Sequence, residues 1–154
     1  MGVGRTSRLY KDLVKDKKIA VSANAGSNPS KYPSLFMFFV VPAKGHTNQE
    51  CEQAVYAQIE KLKTEPVLPE ELTKAKTRRR ARLIRQLDSN SGLGAELTFY
   101  EVVTGDWRNL FKELDKIEQV TAADVQRVAQ TYFTSKNRTV GVIETTSGAS
   151  RSQE

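Results

Sequence analysis

Apolar and polar positions recur along this chain with two different periods, and the places where the period changes mark its elements. Over residues 6–16, Leu9 and Leu13, with Tyr10 beside them, fall at helical spacing and predict a short helix with its leucines inward. Over 19–26 (IAVSANAG) the period is two, and Ile19, Val21, Ala23 and Ala25 are predicted to share one face of a strand. The run 35–41 (LFMFFVV) is apolar at every position, the pattern of a central strand covered on both faces. SNPSKYP, residues 27–33, carries turn chemistry, so the two strands are expected to pair as an antiparallel hairpin.

Helical spacing takes over from Thr47. Thr47 and Glu50 form a capping box ahead of a stripe made of Cys51, Val55, Ile59 and Leu62. Pro66 stops that helix, and Pro69 opens the next at its first position, with Glu70 and Glu71 in the first turn. This helix runs toward Leu87 and meets an interruption over 88–92. A further helix is expected over 93–104, closed by Gly105 at the C-cap. Trp107, Leu110, Phe111, Leu114 and Ile117 mark another. In the closing segment Thr121 is the N-cap, Asp124 sits at its third position, and Val125, Val128, Ala129 and Tyr132 form one apolar stripe. Residues 135–137 break the helix, and 139–143 reads as a buried strand.

These elements predict an α+β fold in which an antiparallel sheet carries helices mainly on one face. Residues 1–145 form a single domain, and the apolar-free tail 146–154 is expected to be disordered. Three strands make a small sheet for about five helices, and the chain opens almost directly on a helix. The expectation is a domain truncated on its N-terminal side.

Composition adds limits. The 154 residues are 38% hydrophobic and 27% charged, an ordinary globular balance, and no apolar run is long enough to cross a bilayer. No secretory leader shows in the polar, basic first ten residues, and the compartment stays open. The single Cys51 excludes an internal disulfide, and the single His46 cannot supply H-x-x-E-H or another multi-histidine metal site. No catalytic, metal or cofactor-binding residue is expected in this chain. Gly2-Val3-Gly4-Arg5 is not a phosphate loop, since no strand precedes it and no Lys-Ser/Thr follows. Asn137-Arg138-Thr139 matches a glycosylation sequon on three residues alone.

Net charge is +6, and much of it comes from Lys74, Lys76, Arg78, Arg79, Arg80, Arg82 and Arg85 on one predicted helix. These charges point around much of the helix and no aromatics interleave, which argues against a basic nucleic-acid-binding protein. A solvated helix whose arginine stems cover apolar surface, or a wall that attracts acidic peptide segments, fits better.

Four segments, in order, resemble the pitrilysin/insulinase-type zinc metallopeptidases, the family that includes mitochondrial-processing-type enzymes. Gly4-Arg5-Thr6-Ser7-Arg8-Leu9-Tyr10 resembles the G-x-x-S-R-L-[YF] helix start of the second homologous domain. Residues 69–76 (PEELTKAK) resemble the P-x-E-L-x-x-A-K entry to a long helix, 91–105 the segment after it, and 117–129 the closing I-x-x-V-T-x-x-D-V-x-x-V-A pattern. The resemblance implies a C-terminal-type domain whose zinc, bound by H-x-x-E-H, lies in a separate N-terminal domain. Two such domains enclose a chamber that holds an unfolded peptide. The implied partners are a zinc-bearing peptidase domain or subunit and unfolded peptide, with self-association expected of this chain by itself; neither membrane nor nucleic acid is implied.

Many members present an Arg after an acidic-Leu pair and a Tyr seven residues later, both directed at substrate. Here Asp12-Leu13 is followed by Val14, and Val21 stands at the Tyr position. The resemblance therefore implies a non-catalytic domain, with an inactive scaffold or assembly subunit of the same family as the alternative.

Overall fold

The computed structural model describes residues 2–27 and 30–144. A π-helical segment, Tyr10–Asp16, leads into β1 (Ala20–Ser27) and β2 (Phe36–Pro42). Five helices come next: α1 (Asn48–Thr64), α2 (Pro69–Gln86), α3 (Asn90–Thr104), α4 (Asn109–Gln119) and α5 (Ala122–Tyr132). The arrangement is α+β, with the two strands antiparallel and helices packed against one face of the hairpin.

The hairpin has two unlike faces. Ala23 pairs with Val40 and Ala25 with Phe38, and these four point inward. They pack on Leu9 and Leu13 of the opening helix and on Cys51, Ala54, Val55 and Ile59 of α1. The opposite face pairs Ser22 with Val41, Asn24 with Phe39 and Gly26 with Met37. Nothing among the described residues covers it: Met37, Phe39 and Val41 are all exposed. The expectation that both faces of β2 are covered is thus corrected. A continuous apolar run requires burial on both sides only when a second layer is present to supply it.

A second correction concerns β1. The register steps from Ala20 opposite Pro42 to Ser22 opposite Val41, leaving Val21 as an extra residue in a bulge. The bulge breaks the two-residue period, so Ala20 is buried and Val21 is 61% exposed. Val21 does not share the inward face of Ala23 and Ala25.

The starts marked by capping boxes or proline hold for α1, α2 and α5. Thr47 Oγ1 accepts from the Glu50 N–H at 3.1 Å, and Glu50 Oε2 accepts from the Thr47 N–H at 2.9 Å. The expected stripe of α1 is buried throughout: Cys51, Val55, Ile59 and Leu62. Pro69 stands in the first turn of α2. Helix α3 begins earlier than expected, capped by Ser89, whose Oγ accepts from the Gly92 N–H at 3.1 Å. It ends on Gly105 in the left-handed conformation, φ 75°. Leu83, Tyr100 and Leu110 lock α2, α3 and α4 into a second core.

The closing segment departs from its pattern in two ways. Thr121 and Asp124 form a full capping box. The inward side of α5 is nevertheless Ala122, Val125 and Ala129, leaning with Phe133 on Leu62 and Val67, while Val128 and Tyr132 are exposed. The rotation is fixed by two amides: Gln126 and Gln130 both donate to the Lys63 carbonyl, at 2.9 and 2.8 Å. A polar anchor thus overrides the apolar stripe.

Residues 139–143 form no strand. Asn48 Nδ2 donates to the Ile143 carbonyl at 3.2 Å, and the Arg138 guanidinium lies 4.5 Å over the Tyr56 ring. These contacts lead the segment back along α1, with Val140, Val142 and Ile143 exposed. A strand exists only through a ladder with a neighbour, and no backbone group of this segment bonds to β1 or β2. The tail expected to be disordered, 146–154, lies outside the described residues.

Candidate functional site

The open face of the hairpin is the surface most unlike the rest of the molecule. Residues 19–27 and 32–43 include no charged side chain, in a chain of net charge +6. Large apolar groups of β2 stand opposite small or polar ones of β1: Phe39 opposite Asn24, Met37 opposite Gly26. The result is a row of side chains over a low, hydrogen-bonding floor. The outer edge of β2 has no backbone partner among the described residues. The outer edge of β1 is engaged at one point, where the Ala25 N–H donates to the Gly2 carbonyl at 3.1 Å.

The two positions singled out by the family resemblance separate in space. Val14 is half-buried and packs against the hairpin core, so its side chain supports the fold. Val21, lifted out by the bulge, stands exposed. Neither side chain can donate a hydrogen bond or carry a charge, so neither can stabilise developing negative charge on a substrate oxygen. Sequence reasoning put Val21 indoors. The signal it missed is the triple Ile19-Ala20-Val21, apolar at three consecutive positions, which leaves the parity of the strand undecided.

His46 and Cys51 are far from forming a metal centre. His46 Nδ1 lies 3.2 Å from Glu50 Oε2 on the surface. The Glu50 carboxyl is held below the usual carboxylate range, first by the Thr47 backbone N–H and then by His46. The Cys51 thiol faces the Ile19 carbonyl, with Sγ 3.4 Å from the oxygen. Burial, aided by the charge of Glu50, pushes this thiol up. Among the described residues no three His, Cys, Asp or Glu side chains converge. A zinc ion does not fit this donor set, because one surface imidazole tied to a capping carboxylate leaves the remaining ligand positions without groups.

The basic run on α2 divides in two. Lys76 Nζ donates to the Glu118 carbonyl at 2.6 Å, and Arg79 pairs with Glu113 at 3.1 Å, both across to the region of α4. Lys74, Arg78, Arg80, Arg82 and Arg85 are exposed.

With this geometry in hand, likeness to known proteins assigns a family. Residues 1–79, just over half of the chain, match the family described as the Peptidase M16 inactive domain, and the chain belongs to that family. It is 29% identical over 136 residues to a Helicobacter pylori protein described as zinc protease PqqE, an alignment covering 86% of this chain and 30% of the relative. A crystal structure of a protease from Helicobacter pylori superposes with a TM-score of 0.80 at 27% identity, over 87% of this chain and 32% of that one. The inactive peptidase domain of a proposed zinc protease from Bordetella parapertussis superposes with a TM-score of 0.79 at 27% identity, over 92% of this chain and 76% of that one. The chain spans about a third of the length of the curated relative it matches.

Proposed function

We propose that this domain contributes no bond-making residue and acts by offering the open hairpin face to a zinc-bearing peptidase domain and to the unfolded peptide held between them. The observation that carries this reading is the uncharged face of Val21, Met37, Phe39 and Val41, which lies open on a chain of the M16 inactive-domain family. Apolar side chains over strand backbone suit a polypeptide of varied sequence, because they take up side chains by area without reading their identity. Zinc belongs to the partner domain in this account, where it would activate water for peptide hydrolysis. Val14 and Val21 leave that chemistry to the partner.

The exposed apolar patch of Val102 on α3, Trp107 in the turn after it and Phe111 on α4 supports a second reading, an inactive assembly subunit that joins other chains through its helical side. In either case the free edge of β2 makes the chain by itself prone to self-association, most simply as a symmetric dimer.

The test is reconstitution with an H-x-x-E-H-bearing peptidase domain of the same family. Cleavage of a quenched, unstructured peptide by that domain should rise when this chain is added, and Phe39→Glu should abolish the rise. Cleavage unchanged by the chain, with the two co-migrating on a sizing column through the α3–α4 patch, would favour the assembly subunit.

A further inference from the structure

Of the five exposed cations on α2, four fall on one side, and Arg80 lies roughly opposite them. With 3.6 residues per turn, Lys74, Arg78, Arg82 and Arg85 occupy an arc of about 80°, away from buried Leu83. None of the four is ion-paired among the described residues, whereas Lys76, Arg79 and Arg8 all have acceptors. A solvated helix of ordinary stability would be expected to lace such charges with acids at four-residue spacing. Past its first turn, α2 includes no Asp or Glu at all. Along most of its length the stripe is flanked by small side chains, Ala75, Thr77 and Ala81, with Gln86 beside its end.

We propose that this stripe is a docking surface for an acidic, extended polypeptide segment, a function separate from the hairpin face. Three features fit that occupant. The four-residue steps along the helix advance about 6 Å, close to the roughly 6.6 Å between alternate side chains of an extended chain. Three of the four cations are arginines, whose planar forks match carboxylates in pairs. The small flanking residues let a peptide backbone lie near the helix surface. A nucleic acid fits less well. The helix has no aromatic residue for base stacking.

Fluorescence anisotropy tests this on the whole chain, using a labelled twelve-residue peptide with Glu at alternate positions. Comparators are the same peptide with Gln and a single-stranded DNA oligonucleotide of equal charge. Saturable binding of the Glu peptide that weakens as salt rises is expected, with no binding of the Gln peptide. R78E/R82E and the milder R78Q/R82Q should weaken binding at least tenfold and about threefold or more, respectively. A control of equal charge change, K61E/K116E, should weaken it less than threefold, with circular dichroism checking that each variant is folded. Equal losses in the stripe and control variants would reduce the effect to net charge and overturn the proposal. DNA binding more tightly than the Glu peptide would overturn it in favour of a nucleic-acid surface, and the absence of saturable peptide binding at low salt would overturn it outright.

Discussion

Arg8 and Glu71, sixty-three residues apart, meet in a forked ion pair: Arg8 Nε donates at 2.8 Å and Nη2 at 2.7 Å to the two carboxylate oxygens of Glu71. Arg8 belongs to the S-R-L start of the opening helix and Glu71 to the P-E-E-L entry of α2. Two segments that look like independent signatures in the sequence are therefore halves of one contact. It joins the hairpin unit to the three-helix unit built on Leu83, Tyr100 and Leu110.

That contact should be worth about 1 kcal/mol, since the pair is forked and partly sheltered yet not buried. A double-mutant cycle with Arg8→Ala and Glu71→Ala, read by urea unfolding, should give a coupling of that size. Arg127→Ala, which breaks a looser single contact with Asp124, should change stability by a few tenths at most. Additive effects of R8A and E71A would show that the fork contributes nothing beyond its parts.

Gly2 is held against β1 with no room for a side chain. A Cβ built there would fall 2.4 Å from the Ala25 Cβ and 2.2 Å from its backbone nitrogen. Gly2→Ala should destabilise the fold by about 1–3 kcal/mol through this overlap. Gly26→Ala, where a Cβ meets open space, is the matched control and should be close to neutral. Thermal melts of both variants check the contrast.

The two faces of β2 should respond oppositely to substitution. Phe38 stacks edge-on with Phe133 at 5.7 Å and packs on the core, so Phe38→Ala should cost about 2 kcal/mol or more. Phe39 is 60% exposed, and Phe39→Ser should stay within about 0.5 kcal/mol while lowering self-association. Unfolding curves and light scattering at several concentrations read the two effects separately.

Acid should loosen the helix starts before it unfolds the cores. The Asp124 carboxyl is held below its usual range chiefly by the Thr121 hydroxyl, then by the Thr121 N–H and Arg127, and Glu50 is lowered by its own capping box. Lowered folded-state values mean that this contribution is present above the ordinary carboxylate range and is lost as pH falls through the lowered ones. Helicity should therefore decline below about pH 4 in the native protein. An Asp124→Asn/Glu50→Gln variant should start with less helix and show a flatter acid limb in circular dichroism. Identical limbs would remove the capping carboxylates from the account.

Caps and turns were legible in the sequence because their chemistry is local: Thr47 with Glu50, Thr121 with Asp124, Pro69, and Gly105 all act within one helical turn. The stripe of α1 was legible because four apolar residues at one spacing have a single face to bury. What depends on distant partners was not. The bulge at Val21 is a matter of register against β2, and the rotation of α5 comes from Gln126 and Gln130 reaching Lys63 on another helix. The strand expected at 139–143 needed a ladder neighbour that no periodicity can report. At the candidate site, the sequence identified valines where the family resemblance implies Arg and Tyr, but only the bulge reveals that Val21 stands in the open.

The most direct measurement is photo-crosslinking from that open face, with p-benzoylphenylalanine placed at Phe39 and, as control, at Ile84, an exposed apolar position on α2. The reconstituted zinc-bearing domain and a labelled unstructured peptide free of acidic residues are both present. The account predicts that position 39 captures the peptide or the zinc-bearing domain in high yield, and that position 84 captures neither. Equal capture from both positions, or capture from 84 alone, would contradict the assignment of the hairpin face as the working surface of this domain.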